Sequence, residues 1–324
     1  MISLVSHLIW GLFFLLSLLL RALPMPLFLL KGYVLGRLIQ MVGFRRKIIL
    51  QNVTRAYPEW TEPERKAFLK KHYTHLGTLA LELIRDLSQT SKSVSTAVDV
   101  TRMEETKQRL KNRQPVMLLS AHFSHWELGM KALATEMPVA VTLKKIKGGV
   151  SQVITEKQRT RFGVQPVYPN SDVSGIKTLI EALATKAVVF VLDQYQPNGL
   201  PVNFFGVPAQ TSTGLWKLAS HTRIPMYVLF ATRDKNGRCH LTVSDAIPFF
   251  QNEDRELEKF LNTQAYTYAL ETGVRLCPEQ WLWIHRRWKN PHHEIPEAYL
   301  KAFEEVKPQI DKALEPLRLI TESE

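Results

Sequence analysis

Between residues 115 and 245, short and almost purely apolar runs alternate with stretches of helical spacing, and this alternation restricts the fold more than any other feature. The runs at 116–119, 138–143, 164–168 and 187–194 are short and nearly continuous, the pattern of strands covered on both faces. Helical spacing follows Ala121, surrounds Lys157, and covers 176–184. Two further strands, 225–232 and 239–243, flank a turn at Asn236-Gly237. The pattern predicts an α/β fold with a mixed, mostly parallel sheet flanked by helices.

The N-terminus adds a second constraint. Residues 2–20 contain no Asp, Glu, Lys or Arg and reach the length of a membrane-crossing helix. A basic leader and a small-residue cleavage site are both missing, so the segment reads as a retained anchor, with an interfacial helix as the alternative. Arg21, Arg37, Arg45, Arg46 and Lys47 all precede the first acidic residue, Glu59. That asymmetry predicts that the body of the protein lies on the cytoplasmic side of the membrane. The apolar patch 23–30, interrupted by Pro24 and Pro26, is expected to lie in the interface. The domain reading is therefore an anchor helix at 1–22 and a single α/β domain at 23–324, whose residues 23–87 form basic interfacial helices.

The 324 residues carry a net charge of +12, which favours an acidic partner. Zinc-finger spacing, an RNP-like aromatic stretch and a long basic arm are all lacking, so nucleic acid is not expected and anionic membrane lipids fit better. Cys239 and Cys277, the two cysteines, suit a reducing compartment. Thr61 and Glu64 read as a capping box opening a helix whose His72 and His75 lack carboxylates at ligand spacing. Residues 88–114 are polar and turn-rich up to a charged helix at 104–110. The segment 203–220 reads as a tight loop feeding a helix capped by Thr211 or Ser212. A polar helix at 253–272 and an amphipathic helix in the tail complete the chain.

The candidate chemistry lies in PVMLLSAHFSHWELGM, residues 115–130. His122 falls at the carboxyl end of a strand, where open α/β sheets place reacting groups. On a continuous helix His122 and Glu127 would stand about 140° apart, at roughly 100° per residue. If His122 lies in the turn before the helix, Glu127 can fold back onto one ring nitrogen and leave the other free to take a proton from a hydroxyl. The same residues also read as an S-x-x-E capping box from Ser124 to Glu127, with His122 a core histidine and His125 exposed. Lys144, Lys145 and Lys147 with Gly148-Gly149 form a basic loop after a strand. Asp193 and Gln194 end another strand, either orienting loops or touching substrate.

Taken together, HFSHWE at 122–127, RTRFG at 159–163, VLDQ at 191–194, FFG-x-PAQTSTG at 204–214 and PEQWLWIHRRWK at 278–289 resemble, in order and spacing, the late acyltransferases of bacterial lipid A biosynthesis, within the lysophospholipid acyltransferase superfamily. The resemblance runs from the N-terminal apolar segment through QNVTRAYPEW to Trp288. It implies an inner-membrane enzyme facing the cytoplasm that moves a fatty acyl chain from acyl carrier protein to a hydroxyl of a lipid A precursor; no cofactor and no metal are expected. His122 and Glu127 match the family's H-x4-D/E pair, His122 as general base and Glu127 orienting it. Arg159 matches the arginine before the glycine and is assigned to the oxyanion or an acceptor phosphate. Arg286 and Arg287 are candidates for headgroup or carrier-protein contact, with Trp281, Trp283 and Trp288 beside them as interfacial packing. His125 offers a second base.

Three other readings remain at this stage. One uses His122, His125 and Glu127 as metal ligands for hydrolysis, although the spacing is not that of the zincins. Another is a membrane-anchored lipid-binding protein without turnover. The third is an acyltransferase with another lipid acceptor, or with an acyl-CoA donor.

Overall fold

The described chain opens with four helices: α1 (Leu4–Ala22), α2 (Met25–Val42), α3 (Arg46–Ala56) and α4 (Glu62–Arg85). The computed structural model describes residues 4–144, 150–169, 173–290 and 292–322. Lys145, Lys147 and Gly148-Gly149 of the basic loop lie outside them. Pro26 does not interrupt the second apolar segment, because proline is tolerated in a first helical turn, where the backbone N–H has no partner to lose. α2 therefore continues to Val42, and by length and composition it can cross a membrane. This corrects the expectation of a short interfacial patch at 23–30.

Both N-terminal helices dock on α4. Gly32 and Gly36 of α2 meet Gly77 and Thr78 so closely that a Cβ on Gly36 would fall 2.2 Å from the Tyr73 carbonyl oxygen. Ser17 of α1 is fully buried, donating to the Arg85 carbonyl at 3.0 Å and accepting from the Ser88 N–H at 2.9 Å. Apolar side chains on the outer faces, among them Leu12, Leu15 and Leu19 of α1 and Leu30, Val34 and Leu38 of α2, remain exposed. The Thr61–Glu64 capping box opens α4 as expected.

A 3-10 turn, Asp86–Ser88, and α5 (Ser91–Ala97) lead to β1 (Val98–Thr101), an edge strand in the stretch read as turn-rich. There follow α6 (Glu104–Lys111), β2 (Val116–Ser120), α7 (Trp126–Glu136), β3 (Val139–Thr142), α8 (Val150–Arg161), β4 (Val164–Val167), α9 (Val173–Thr185) and β5 (Ala187–Val191). The chain continues with β6 (Leu200–Phe204), β7 (Val207–Thr211), α10 (Gly214–Thr222), β8 (Met226–Arg233), β9 (Cys239–Val243), α11 (Arg255–Leu276) and α12 (Glu297–Glu322). The segment 203–220 is thus half hairpin, not a plain loop. Phe205 and Gly206 both take positive φ, 56° and 73°, the geometry of a tight two-residue hairpin turn. α10 begins after Thr213, which makes no side-chain cap, while Ser212 Oγ accepts from the Gly214 N–H at 3.3 Å; Thr211 instead donates to the Ala209 carbonyl.

The main sheet is seven-stranded, in the order β1-β9-β8-β2-β5-β3-β4. β8, β2, β5, β3 and β4 run parallel, whereas β9 is antiparallel to β8 and carries β1 parallel to itself. β2 shows how the apolar runs serve two cores. Met117 and Leu119 pack into one with α4, α9 and α11, while Val116 and Leu118 pack into the other with α7. A strand covered on both faces needs apolar residues at every position, which is why these runs do not alternate.

Candidate active site

The central strands fix the site. Ser120 of β2 is in register with Val191 of the adjacent parallel strand β5. His122 and Asp193 follow those residues by the same number of positions, so both leave the sheet side by side at its carboxyl edge. The His122 backbone N–H donates to Asp193 Oδ2 at 3.0 Å, and its ring Nδ1 lies 2.8 Å from Asp193 Oδ1. Trp281 Nε1 donates to Oδ2 at 2.8 Å. Asp193 is an ionised acceptor, so Nδ1 is the protonated nitrogen and Nε2 presents a lone pair. Part of the ring, 23% of the side chain, remains open to solvent.

Burial alone would lower the His122 pKa. The charge and hydrogen bond of Asp193, helped by the nearby Glu127 carboxylate, outweigh it and hold the imidazole above its usual value. Burial would raise the Asp193 pKa, but the His122 charge and the hydrogen bonds from His122 and Trp281 keep it below the usual carboxylate range.

Glu127 does not sit on the imidazole. It lies at the start of α7 with its carboxylate turned to Arg159 of α8, which donates from Nε to Oε2 at 3.1 Å and from Nη2 to Oε1. The pair is nearly buried, with 10% and 11% of the side chains exposed. Trp126 joins the two halves of the site: its ring is edge-on to His122 at 5.3 Å between centroids, and the Arg159 guanidinium lies 5.4 Å over it. The capping box is not formed. Ser124 takes a positive φ of 47°, its hydroxyl is buried without a partner among the described residues, and His125 occupies the N-cap.

Gln194 Nε2 lies 3.4 Å from both nitrogens of His122, so it rests against the ring without addressing either. His125 faces away: it is buried, with Nε2 3.1 Å from Asp86 Oδ2, an oxygen that Lys131 also contacts at 2.7 Å. It offers no second base at the His122 edge, and it is not the exposed residue of the capping-box reading. His122, His125 and Glu127 thus turn to three separate partners. His72 and His75 are buried: the His72 ring is 2.9 Å from the Glu279 carbonyl oxygen, and burial lowers its pKa to about 4.

The 278–289 segment walls the site through its backbone. Ser124 N–H donates to the Gln280 carbonyl at 2.8 Å, and Leu282 N–H to the His122 carbonyl at 3.1 Å. Asn52 of α3 braces the same segment, donating to the carbonyls of Trp283 at 2.8 Å and His285 at 2.6 Å. Trp281 and Trp283 are core residues, 1% and 0% exposed, not interfacial packing. The role of Trp281 as an Asp193 donor had no local signal. Arg286 and Arg287 part company, Arg286 exposed and Arg287 buried. Arg287 donates to the Gln210 carbonyl at 2.7 Å and to Thr211 Oγ1 at 2.5 Å, so its guanidinium is buried against the hairpin and not presented at the surface.

A parallel α/β sheet with a buried aspartate, an oriented histidine and an arginine-bound glutamate at its carboxyl edge is the framework of an enzyme site. The family model described as bacterial lipid A biosynthesis acyltransferase matches residues 3–290, and the chain belongs to that family. The lipid A biosynthesis lauroyltransferase of Escherichia coli (strain K12) is 24% identical over 283 residues, covering 86% of this chain and 90% of the relative. The palmitoleoyltransferase of the same organism is 23% identical, covering 82% and 86%. A Shigella flexneri lipid A biosynthesis acyltransferase gives the same identity and coverage. The protein is an acyltransferase of lipid A, and hence lipopolysaccharide, biosynthesis.

Proposed function

We propose that the protein is a membrane-bound O-acyltransferase that moves a fatty acyl chain from an acyl carrier protein thioester to a hydroxyl-bearing acyl chain of a lipid A precursor, at the cytoplasmic face of the inner membrane. The observation that carries the reaction is the Asp193–His122 pair, which holds the proton on Nδ1, leaves Nε2 as the basic nitrogen and keeps part of the side chain open to solvent. His122 Nε2 takes the acceptor hydroxyl proton as that oxygen attacks the thioester carbonyl. The C–O bond forms, the C–S bond breaks, and the imidazolium returns its proton to the leaving thiolate. Asp193 fills the orienting role first expected of Glu127. Glu127 instead positions Arg159, whose Nη1 has no partner among the described residues and is the donor offered to the carbonyl oxygen as it gains charge.

The membrane reading is supported by the apolar outer faces of α1 and α2 and by the basic residues that follow them. The test is acyl transfer by the purified protein in detergent, with acyl carrier protein thioesters, a lipid A precursor and product mass as readout. Addition of one acyl mass by wild type and its loss in His122→Ala establishes the reading. A folded wild type that transfers from neither carrier protein nor coenzyme A to any lipid A precursor overturns it.

A further inference from the structure

Between α3 and the chain after Trp283, the segment that walls the candidate active site, lies a cavity of about 320 Å³ lined by Lys47, Gln51, Asn52, Arg55, Arg286 and Lys289 among others, with no carboxylate. None of its four cations forms an ion pair among the described residues. Arg55 is held in place by donating to the Trp288 carbonyl at 3.1 Å, and Lys289 lies 5.6 Å over the Tyr195 ring. Lys47 and Arg286 are exposed at its mouth. Like charges gathered around one cavity repel unless an anion sits between them.

We propose that this cavity binds a phosphate group of the acceptor lipid, an assignment that rests on the acyltransferase reading above. A recess edged by two guanidinium forks and two ammonium groups suits a compact, multiply charged oxyanion, whereas an acidic protein surface calls for a broad open patch. Its position fits as well. Leu282 is hydrogen-bonded to His122, and four residues of chain reach at most about 14 Å, so Arg286 stands within that span of Leu282. A hydroxyl partway along an acyl chain is several bonds from the sugar phosphate, so the acceptor's phosphate needs a site apart from His122. The cavity also follows the end of apolar α2 at Val42, the level at which lipid headgroups meet a membrane helix.

The test uses Lys47→Ala/Arg286→Ala with two acceptors, a bisphosphorylated acyl-glucosamine disaccharide and the same lipid after phosphatase treatment, at saturating thioester. Wild type is expected to favour the phosphorylated lipid roughly ten- to a hundredfold in KM. The double variant loses that preference, its KM for the phosphorylated lipid rising to that for the treated one, and Lys47→Arg/Arg286→Lys restores part of it. An unchanged preference overturns the proposal, as does a rise in KM for the carrier-protein thioester in place of the lipid. Equilibrium binding of both lipids in micelles separates this result from the reaction itself. Phosphate-dependent binding lost in the double variant supports the cavity even if wild type turns nothing over. Equal binding of the two lipids by wild type rejects it.

Discussion

Asp193 accepts two hydrogen bonds from the single residue His122, one from the backbone N–H at 3.0 Å and one from ring Nδ1 at 2.8 Å. The first locks the turn and the second locks the tautomer, so the position and the protonation of the imidazole share one anchor. Asp193→Asn keeps an acceptor for one of these bonds but removes the charge and admits the wrong tautomer. Turnover is expected to fall by roughly two to four orders of magnitude, the usual range for a general acid-base group, with the near-UV circular dichroism unchanged. Near-wild-type turnover in the variant would remove Asp193 from the orienting role.

The same pair sets a pH dependence. The His122 pKa is raised, and a base works only when neutral, so kcat/KM is expected to rise with an inflection above 6.5 and to be lost as pH falls through it. Replacing Asp193 by Asn leaves burial dominant and moves the limb to lower pH; Glu127→Gln moves it the same way by less. For folding, a raised histidine pKa contributes stability that is fully present below its unfolded pKa and lost as pH rises through the folded one. Activity and this part of stability therefore run in opposite directions with pH, which separate kcat/KM and denaturant titrations would reveal.

Glu127 and Arg159 form a nearly buried pair, so neither can be removed alone without leaving a charge unpartnered. Glu127→Ala and Arg159→Ala are each expected to cost about 3 kcal/mol of stability. The double replacement should cost less than the sum, as read from denaturant midpoints in a double-mutant cycle. Additive losses would mean that the two residues do not hold each other.

The parts of this site that were legible in sequence are those set by local pattern. An apolar run that ends in a polar group marks a strand end, and that pattern predicts the positions of both His122 and Asp193. Their contact was hidden, because it depends on β2 and β5 being neighbours in the sheet, an order that no local window contains. Glu127 misled for the same reason: His122 is five positions away in the chain, but Arg159 arrives on a different helix. In α2 the error was one of position, since Pro26 lies in the first helical turn and starts the helix instead of breaking it. Arg286 and Arg287 are identical in type and adjacent, and only the hairpin behind them decides which one is buried.

Gly77 lets α2 approach α4 at backbone distance, and a Cβ there would fall 2.3 Å from the Gly36 nitrogen. Gly77→Leu is therefore expected to separate the helices while leaving the sheet folded. Limited trypsin digestion should then cut faster at Arg45, in the turn between α2 and α3, and at Arg46, the first residue of α3. Cleavage at the wild-type rate would show that the close approach is not what holds α2 in place.

Arg287 tests the difference between a binding arginine and a buried one. It is 1% exposed, hydrogen-bonded to β7 through the Gln210 carbonyl and Thr211, and lies 5.2 Å over the Phe204 ring. Burial without a carboxylate partner lowers its pKa to about 10, still charged at neutral pH. Hydrogen bonds to charged groups contribute about 1.5–3 kcal/mol, and truncation would also leave buried acceptors empty. Arg287→Ala is thus expected to lose roughly 3 kcal/mol in denaturant unfolding, whereas exposed Arg286→Ala should stay within about 0.5 kcal/mol of wild type. Arg287→Met, which keeps the apolar stem against Phe204, should fall between wild type and Arg287→Ala. If Arg287→Ala proves as stable as Arg286→Ala, the β7 contacts do not fix the hairpin.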